Sequence, residues 1–199
     1  MKEIYAPTSI TYEHRRAICF AGYSANCVID KNVILYLKEL KKYSDYIVYV
    51  TDNNIIPSEL KKIKNIVDAV ICERHNEYDF GSYKRGYFLL KEQNILEKVD
   101  SLLFVNDSVI YNGKSLKEVF DLSENKPFYG LTVNSHGYNK LSEGMYGWIK
   151  APHIQSFFAQ VSKDIFNSNW FYDFMQSIQH LENKKDIIIN KKSSTINNN

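Results

Sequence analysis

Leu102-Leu103-Phe104-Val105-Asn106-Asp107-Ser108 is the stretch on which the fold of this chain turns. An apolar run stops abruptly at three polar side chains. A short apolar run bounded in this way suits a strand buried on both faces, as in a parallel sheet covered by helices. In open α/β sheets, ligands bind just beyond the carboxyl ends of such strands, so Asn106, Asp107 and Ser108 stand where a ligand is expected. The same residue types also open turns for purely local reasons. On this stretch alone both readings stand.

The preceding sequence supplies the context. Ala17-Ile18-Cys19-Phe20-Ala21 reads as a first strand, followed by a loop over 22–26. Over 28–43, Ile29, Val33, Leu37 and Leu40 recur on one helical face. Asp30 near its start and Lys38, Lys41 and Lys42 near its end complement the helix dipole. Tyr46-Ile47-Val48-Tyr49-Val50 is a second strand. Pro57 suits a first helical residue, with Leu60, Ile63 and Val67 continuing at helical spacing. A third strand over 68–72, a polar loop over 74–81 and a helix over 82–93 lead to the opening stretch. Alternating strands and helices imply a doubly wound, mostly parallel Rossmann-like α/β sheet flanked by helices. Right-handed crossovers place the carboxyl ends of its strands on one edge.

Outside this block the pattern weakens. Residues 1–16 read as a lead-in, and 17–183 as a single domain without repeat or linker. Beyond Ser108 the expectations are a short helix over 115–122, a strand over 128–133, a mobile loop over 134–147, a strand over 154–161 and an aromatic-rich helix over 169–181. The tail over 184–199 is rich in Lys, Asn and Ser and reads as disordered.

Composition narrows the function classes. The chain has 199 residues, 44% hydrophobic and 24% charged, which is ordinary for a globular protein. A net charge of +2 argues against nucleic acid as a partner. Cys19, Cys27 and Cys72 lack metal-ligand spacing, and together with the absence of a signal-like start they place the chain in a reducing, cytoplasmic setting. No apolar run approaches the roughly 18 residues that span a bilayer. Walker-type, Gly-x-Gly-x-x-Gly and Gly-x-Ser-x-Gly motifs are absent, and the five histidines are scattered.

Two places carry candidate chemistry. Asp79 caps the helix expected from Ser82, or else helps that helix start, beside Gly81, to hold an anion on free backbone N–H groups. Lys84 and Arg85 lie in the first turns and reach either phosphate oxygens or solvent. Asp107, at the end of a buried strand, suits a hard divalent cation, Mg²⁺ or Mn²⁺, that would bridge nucleotide phosphates, with Asn106 and Ser108 adding neutral oxygens. A single acid stands there where two would be more persuasive.

Three segments in order carry a resemblance: Tyr78-Asp79-Phe80-Gly81-Ser82-Tyr83-Lys84, Phe104-Val105-Asn106-Asp107-Ser108 and His153-Ile154-Gln155-Ser156-Phe157-Phe158. Together with Ala21-Gly22-Tyr23-Ser24, they resemble the rhamnan synthesis protein F family over roughly residues 17–180. These are bacterial glycosyltransferases of cell-wall and lipopolysaccharide assembly. The resemblance implies a GT-A-like fold, a nucleotide-sugar donor, transfer of a sugar, often rhamnose, and a glycan or lipid-linked glycan acceptor met at the inner face of the membrane. It implies donor contacts from Asp79 and from the Asn106-Asp107-Ser108 triplet, which stands where broader GT-A enzymes carry Asp-x-Asp. It also places His153, Gln155 and Ser156 on the acceptor side. An inverting transfer needs a base for the acceptor hydroxyl; His153 is favoured over Glu143 and Asp173. The 134–147 loop would then act as a lid, with Trp148 offering a stacking face or filling the core. Gly22 stands where the family usually has histidine, and the polar end of the chain departs from the family's continuation. That leaves a second reading, a truncated, non-catalytic nucleotide-sugar-binding subunit of an assembly complex.

Overall fold

The computed structural model describes residues 1–6, 10–142 and 145–180. In chain order its elements are β1 (Lys2–Ile4), β2 (Arg16–Gly22), α1 (Lys31–Lys41), β3 (Tyr46–Thr51), α2 (Pro57–Leu60), β4 (Ala69–Cys72), α3 (Tyr78–Glu92), β5 (Ser101–Asn106), α4 (Lys117–Ser123), β6 (Phe128–Gly130), β7 (Val133–Ser142), β8 (Met145–Ile154), β9 (Phe158–Ser162), α5 (Lys163–Phe166) and α6 (Asn169–Ser177).

Among the described residues the strands form a seven-stranded sheet of order β1-β4-β3-β2-β5-β9-β6 and a separate hairpin of β7 and β8. The central pairs β4–β3, β3–β2 and β2–β5 are parallel, while β1 at one edge and β9 with the edge strand β6 at the other pair antiparallel. The α/β reading with a mostly parallel sheet is therefore the observed architecture. The period of two along each strand explains why both faces are covered. On β2, Ala17, Cys19 and Ala21 pack on one side with Tyr83, Tyr87 and Leu90 of α3, while Ile18 and Phe20 pack on the other with Val33, Leu37 and Leu40 of α1. The continuous apolar strands read from the sequence are those buried on both sides.

The chain runs outward from β2 through β3 to β4 and then returns to place β5 on the other side of β2. The order of connection reverses there, so the carboxyl ends of β2 and β5 flank a switch point, where such sheets open a crevice.

Several expectations are corrected. The lead-in contains a strand: Lys2–Ile4 pairs with Ala69–Ile71, and the Met1 ammonium donates to the Cys72 carbonyl at 2.7 Å. The span expected as a mobile loop is a hairpin, with Val133–Ser142 paired against Met145–Ile154. The helix expected from Ser82 starts at Tyr78, and the strand expected from 154 starts at Phe158 because Ser156 and Phe157 form a turn. The tail over 184–199 lies outside the described residues. Among the described residues no helix is long and apolar enough to cross a membrane.

Candidate functional site

β5 ends at Asn106, so Asp107 is the first residue past the sheet. Its backbone N–H donates to the Ala21 carbonyl at 3.2 Å, and its carboxylate accepts from the Tyr23 N–H at 2.7 Å. Asp107 thus ties the ends of β2 and β5 together across the switch point. Asn106 is buried; its Oδ1 accepts from the Ser108 N–H at 3.0 Å, which is the local turn expected of these residue types. Its Nδ2 donates to Asp79 Oδ2 at 2.7 Å. The turn reading and the site reading therefore describe two ends of one side chain.

Asp79 comes from α3, the element packed across the end of β2. Because α3 begins at Tyr78, Asp79 lies in its first turn, one residue inside the helix, and the N-cap position belongs to Glu77. The capping reading of Asp79 is corrected accordingly. Its position brings a second carboxylate to the β5 end, the acid that the triplet alone lacked. Both aspartates line a cleft of ≈ 840 Å³ at the carboxyl edge of the sheet, with Gly22, Arg74, Ser108 and Ser156 among its walls. Burial pushes the Asp107 carboxyl up to about 6, and the Asp79 charge pushes in the same direction against the stabilising Tyr23 N–H.

The loop that carries Asp79 to this edge is held by Asp52, just past β3. Its Oδ1 accepts from the His75 and Asn76 N–H groups at 2.7 and 3.0 Å. Asn76 and Tyr78 take left-handed backbone angles, φ 54° and 55°. For a bulky residue such as Tyr78 this conformation costs on the order of 1 kcal/mol or more, and strain of this kind gathers at ligand sites. Arg74 brings a cation to the same wall: its guanidinium lies 5.6 Å from the centre of the Tyr23 ring and donates to the Asp52 carbonyl at 3.0 Å.

Other expected residues are placed elsewhere. The Gly81 N–H is spent on the Glu77 carbonyl at 3.1 Å and offers nothing to an anion. Gly81 is a packing glycine, since a Cβ there would come within 2.1 Å of Glu77 Cβ and 2.8 Å of His75 Nδ1. Lys84 donates to the carbonyls of Ile178 at 2.7 Å and Gln176 at 3.4 Å, so it ties α3 to the end of α6 and does not line the cleft. Arg85 pairs with Glu73 and Glu77.

On the acceptor side, Ser156 lines the cleft, and its carbonyl accepts from the Tyr83 hydroxyl at 2.8 Å. Gln155 lines an adjoining apolar cavity of ≈ 300 Å³ that shares Phe80 and Ser156 with the cleft. His153 is exposed on the hairpin, opposite Asn134; its Nδ1–H donates to the Ala151 carbonyl at 2.8 Å, and it lines neither space. Asp173 is exposed on α6, and Glu143 lies outside the described residues. Trp148 is 68% exposed on β8, which excludes the core reading. Among the described residues no three His, Cys, Asp or Glu side chains form a metal cluster.

Tyr23, Arg74, Asn76, Tyr78 and Ser82 belong to the cleft without having been singled out from the sequence. Beyond the resemblance, whose segments contain Tyr23, Tyr78 and Ser82, the signal available for them was position, since Tyr23 follows a strand end and the others belong to or follow the polar loop after β4.

The family model for Rhamnan synthesis protein F matches residues 47–198, a span that includes Asp79, Asp107 and Ser156. A curated relative, an uncharacterized protein y4gN of Sinorhizobium fredii (strain NBRC 101917 / NGR234), is 22% identical over 160 residues, covering 80% of this chain and 39% of the relative. The chain thus spans about two-fifths of that relative's length.

Proposed function

Because the chain belongs to the rhamnan synthesis protein F family, we propose that it is a GT-A-like glycosyltransferase of polysaccharide synthesis, moving a sugar such as rhamnose from a nucleotide-sugar donor to a growing glycan. One observation carries this reading. Asp79 of α3 and Asp107 at the end of β5 converge, through Asn106, on a polar cleft at the switch point of a parallel sheet. Donor diphosphates meet such edges in α/β folds.

The donor set fits a hard divalent cation. Two carboxylates are held at one wall, and one of them is pushed toward the neutral form by burial and by its neighbour. A bound Mg²⁺ or Mn²⁺ would be held by Asp79 and Asp107 and would supply charge neutralisation for the diphosphate. The protein's own part is to present both carboxylates on a fixed frame. The Tyr23 N–H holds Asp107, the Asn106 amide holds Asp79, and Arg74 adds a cation to the same wall. In the transfer itself, the acceptor hydroxyl oxygen forms the new bond to the anomeric carbon while the bond from that carbon to the diphosphate breaks; the diphosphate leaves with the bonding electrons, and the hydroxyl proton passes to the departing phosphate oxygen or to water. His153 lies outside the cleft and is not assigned the proton in this step.

The acceptor approaches past Ser156. The aromatic cavity behind Phe80 gives room for the apolar part of a lipid-linked acceptor, consistent with work at the membrane's inner face.

The test is a thermal-shift panel of nucleoside diphosphates with and without Mg²⁺ or Mn²⁺, followed by transfer assays with the matching nucleotide sugars. A ligand that binds only the native state must raise the melting temperature. A metal-dependent shift, lost in Asp107→Ala, is the expected result. If no diphosphate shifts the wild-type protein, the donor-site reading fails; shifts without turnover leave a nucleotide-sugar-binding subunit in its place.

A further inference from the structure

Ser82 lies on α3 one turn beyond Asp79, lines the same cleft, and is only 2% exposed. Its Oγ lies 3.0 Å from His75 Nε2. The other ring nitrogen fixes the direction of that bond. The Glu77 backbone N–H points at His75 Nδ1 from 3.1 Å. A backbone N–H only donates, so Nδ1 carries a lone pair and the neutral ring holds its hydrogen on Nε2. Nε2–H therefore donates to Ser82 Oγ. The neutral state is itself favoured, because burial and the Arg85 charge hold the imidazole below its ordinary value against Asp52, Glu77 and Glu73.

Asp52, His75 and Ser82 superficially form an acid–imidazole–hydroxyl relay, with Asp52 Oδ1 3.8 Å from His75 Nδ1. The tautomer excludes that chemistry. Nδ1 has no hydrogen to give Asp52, and Nε2 has no lone pair to take the Ser82 proton. What the ring does is fill an acceptor site of Oγ. The hydrogen of the hydroxyl meets no acceptor among the described residues. A buried donor left unspent at the wall of a polar cleft costs free energy until an acceptor arrives.

We propose that Ser82 is a substrate-binding residue whose hydroxyl, oriented by neutral His75, donates to an oxygen of the bound nucleotide-sugar donor. This rests on the donor-site reading above. The oxygen belongs either to the diphosphate or to the sugar, and the two differ in which ligand notices the loss of the hydroxyl.

The experiment is calorimetric titration of wild type, Ser82→Ala and Ser82→Thr with UDP, GDP, CDP and thymidine diphosphate and with their hexose conjugates, each alongside a melting curve. Ser82→Ala is expected to weaken binding about tenfold, the size of one hydrogen bond to a charged partner, and Ser82→Thr to recover most of it. A loss seen with the bare diphosphate places the acceptor on phosphate; a loss confined to the conjugate places it on the sugar. Wild-type affinity in Ser82→Ala overturns the proposal while leaving the donor site standing. Equal losses in both variants, with melting temperatures lowered together, show a packing role and also overturn it. If the wild type binds no member of the panel, the donor-site reading falls and this inference falls with it.

Discussion

The two ends of the parallel sheet use their polar groups in opposite ways. At the amino edge, around a hollow of ≈ 600 Å³, most polar groups are spent on the protein itself, the buried Tyr12 hydroxyl, which has no hydrogen-bond partner among the described residues, being the exception. Asp45 takes the backbone N–H groups of Glu13, His14 and Arg16. The Arg16 guanidinium is divided between Gln160 and the Tyr43 carbonyl and lies over the Phe120 ring, while Arg15 grips Asp100 with two bonds. At the carboxyl edge Asp79 and Asp107 face one cleft, and a buried hydroxyl keeps its hydrogen; left-handed backbone occurs at both edges, at Asn76 and Tyr78 here and at Arg15 and Asn125 around the other hollow. A protein gains by pairing such groups internally. An edge where they are left in tension is one whose partner comes from outside.

If this contrast is right, the amino edge answers to stability measurements and the carboxyl edge to binding. The largest effect is expected at Asp45. Asp45→Ala removes the acceptor of three backbone donors, the Arg16 N–H buried and those of Glu13 and His14 nearer solvent, and should lower unfolding free energy by about 3 kcal/mol in urea titration. Nucleoside diphosphate affinity should be unchanged. A comparable loss of affinity would erase the distinction between the edges.

Asp107→Asn probes the other side. The amide still accepts from the Tyr23 N–H but no longer offers a charge to a cation. Metal-dependent nucleotide affinity should fall on the order of 100-fold, about 2.7 kcal/mol, because a charged contact is lost. The melting temperature should hold or rise, since a carboxylate held at about 6 destabilises the fold when ionised. A large drop in melting temperature would make Asp107 structural.

The pH dependence follows with a definite sign. Asp107 is raised from the ordinary 3.8 to about 6 in the folded protein. Its contribution to stability is fully present below about 4 and is lost as pH rises through about 6. Metal-dependent binding runs the other way, weakening about tenfold per pH unit below about 6 as the carboxylate protonates. Titrations from pH 5 to 8 should show binding and this share of stability moving in opposite directions, and Asp107→Asn should flatten both.

The sequence made one edge of this contrast partly legible. β5 was readable because its strand is buried on both faces, and Asp107 because it ends that strand. The partnership of Asp79 with Asn106 joins residues 27 apart and depends on where α3 packs, which no local pattern carries. The hairpin was misread because no buried stripe appears among its residues of described burial: Val133 and Trp148 are each 68% exposed, so the alternation that marks a strand is missing. β1 has three residues at a sheet edge, too few for a period. Ser82 was invisible for a different reason, since its role depends on a tautomer set by the backbone of Glu77.

The smallest effect tests whether the strain at the carboxyl edge serves the cleft, since Arg15 at φ 48° and Asn125 at φ 57° take the same region around the amino-edge hollow. Tyr78 enters α3 at φ 55°, where a bulky side chain crowds its own backbone, and asparagine tolerates that region far better. The residue is 41% exposed, so little packing is lost on replacement. Tyr78→Asn should therefore raise stability by about 1 kcal/mol, or roughly 2–4 °C in melting temperature for a chain of this size. If Tyr78 is strained in order to hold the 76–79 turn against a ligand, the same variant should lose several-fold in nucleotide affinity. Stabilisation with that loss would link the strain to binding. Stabilisation with unchanged affinity would show that the strain is incidental to the cleft, leaving the carboxylates and the Ser82 hydroxyl as what distinguishes the two edges.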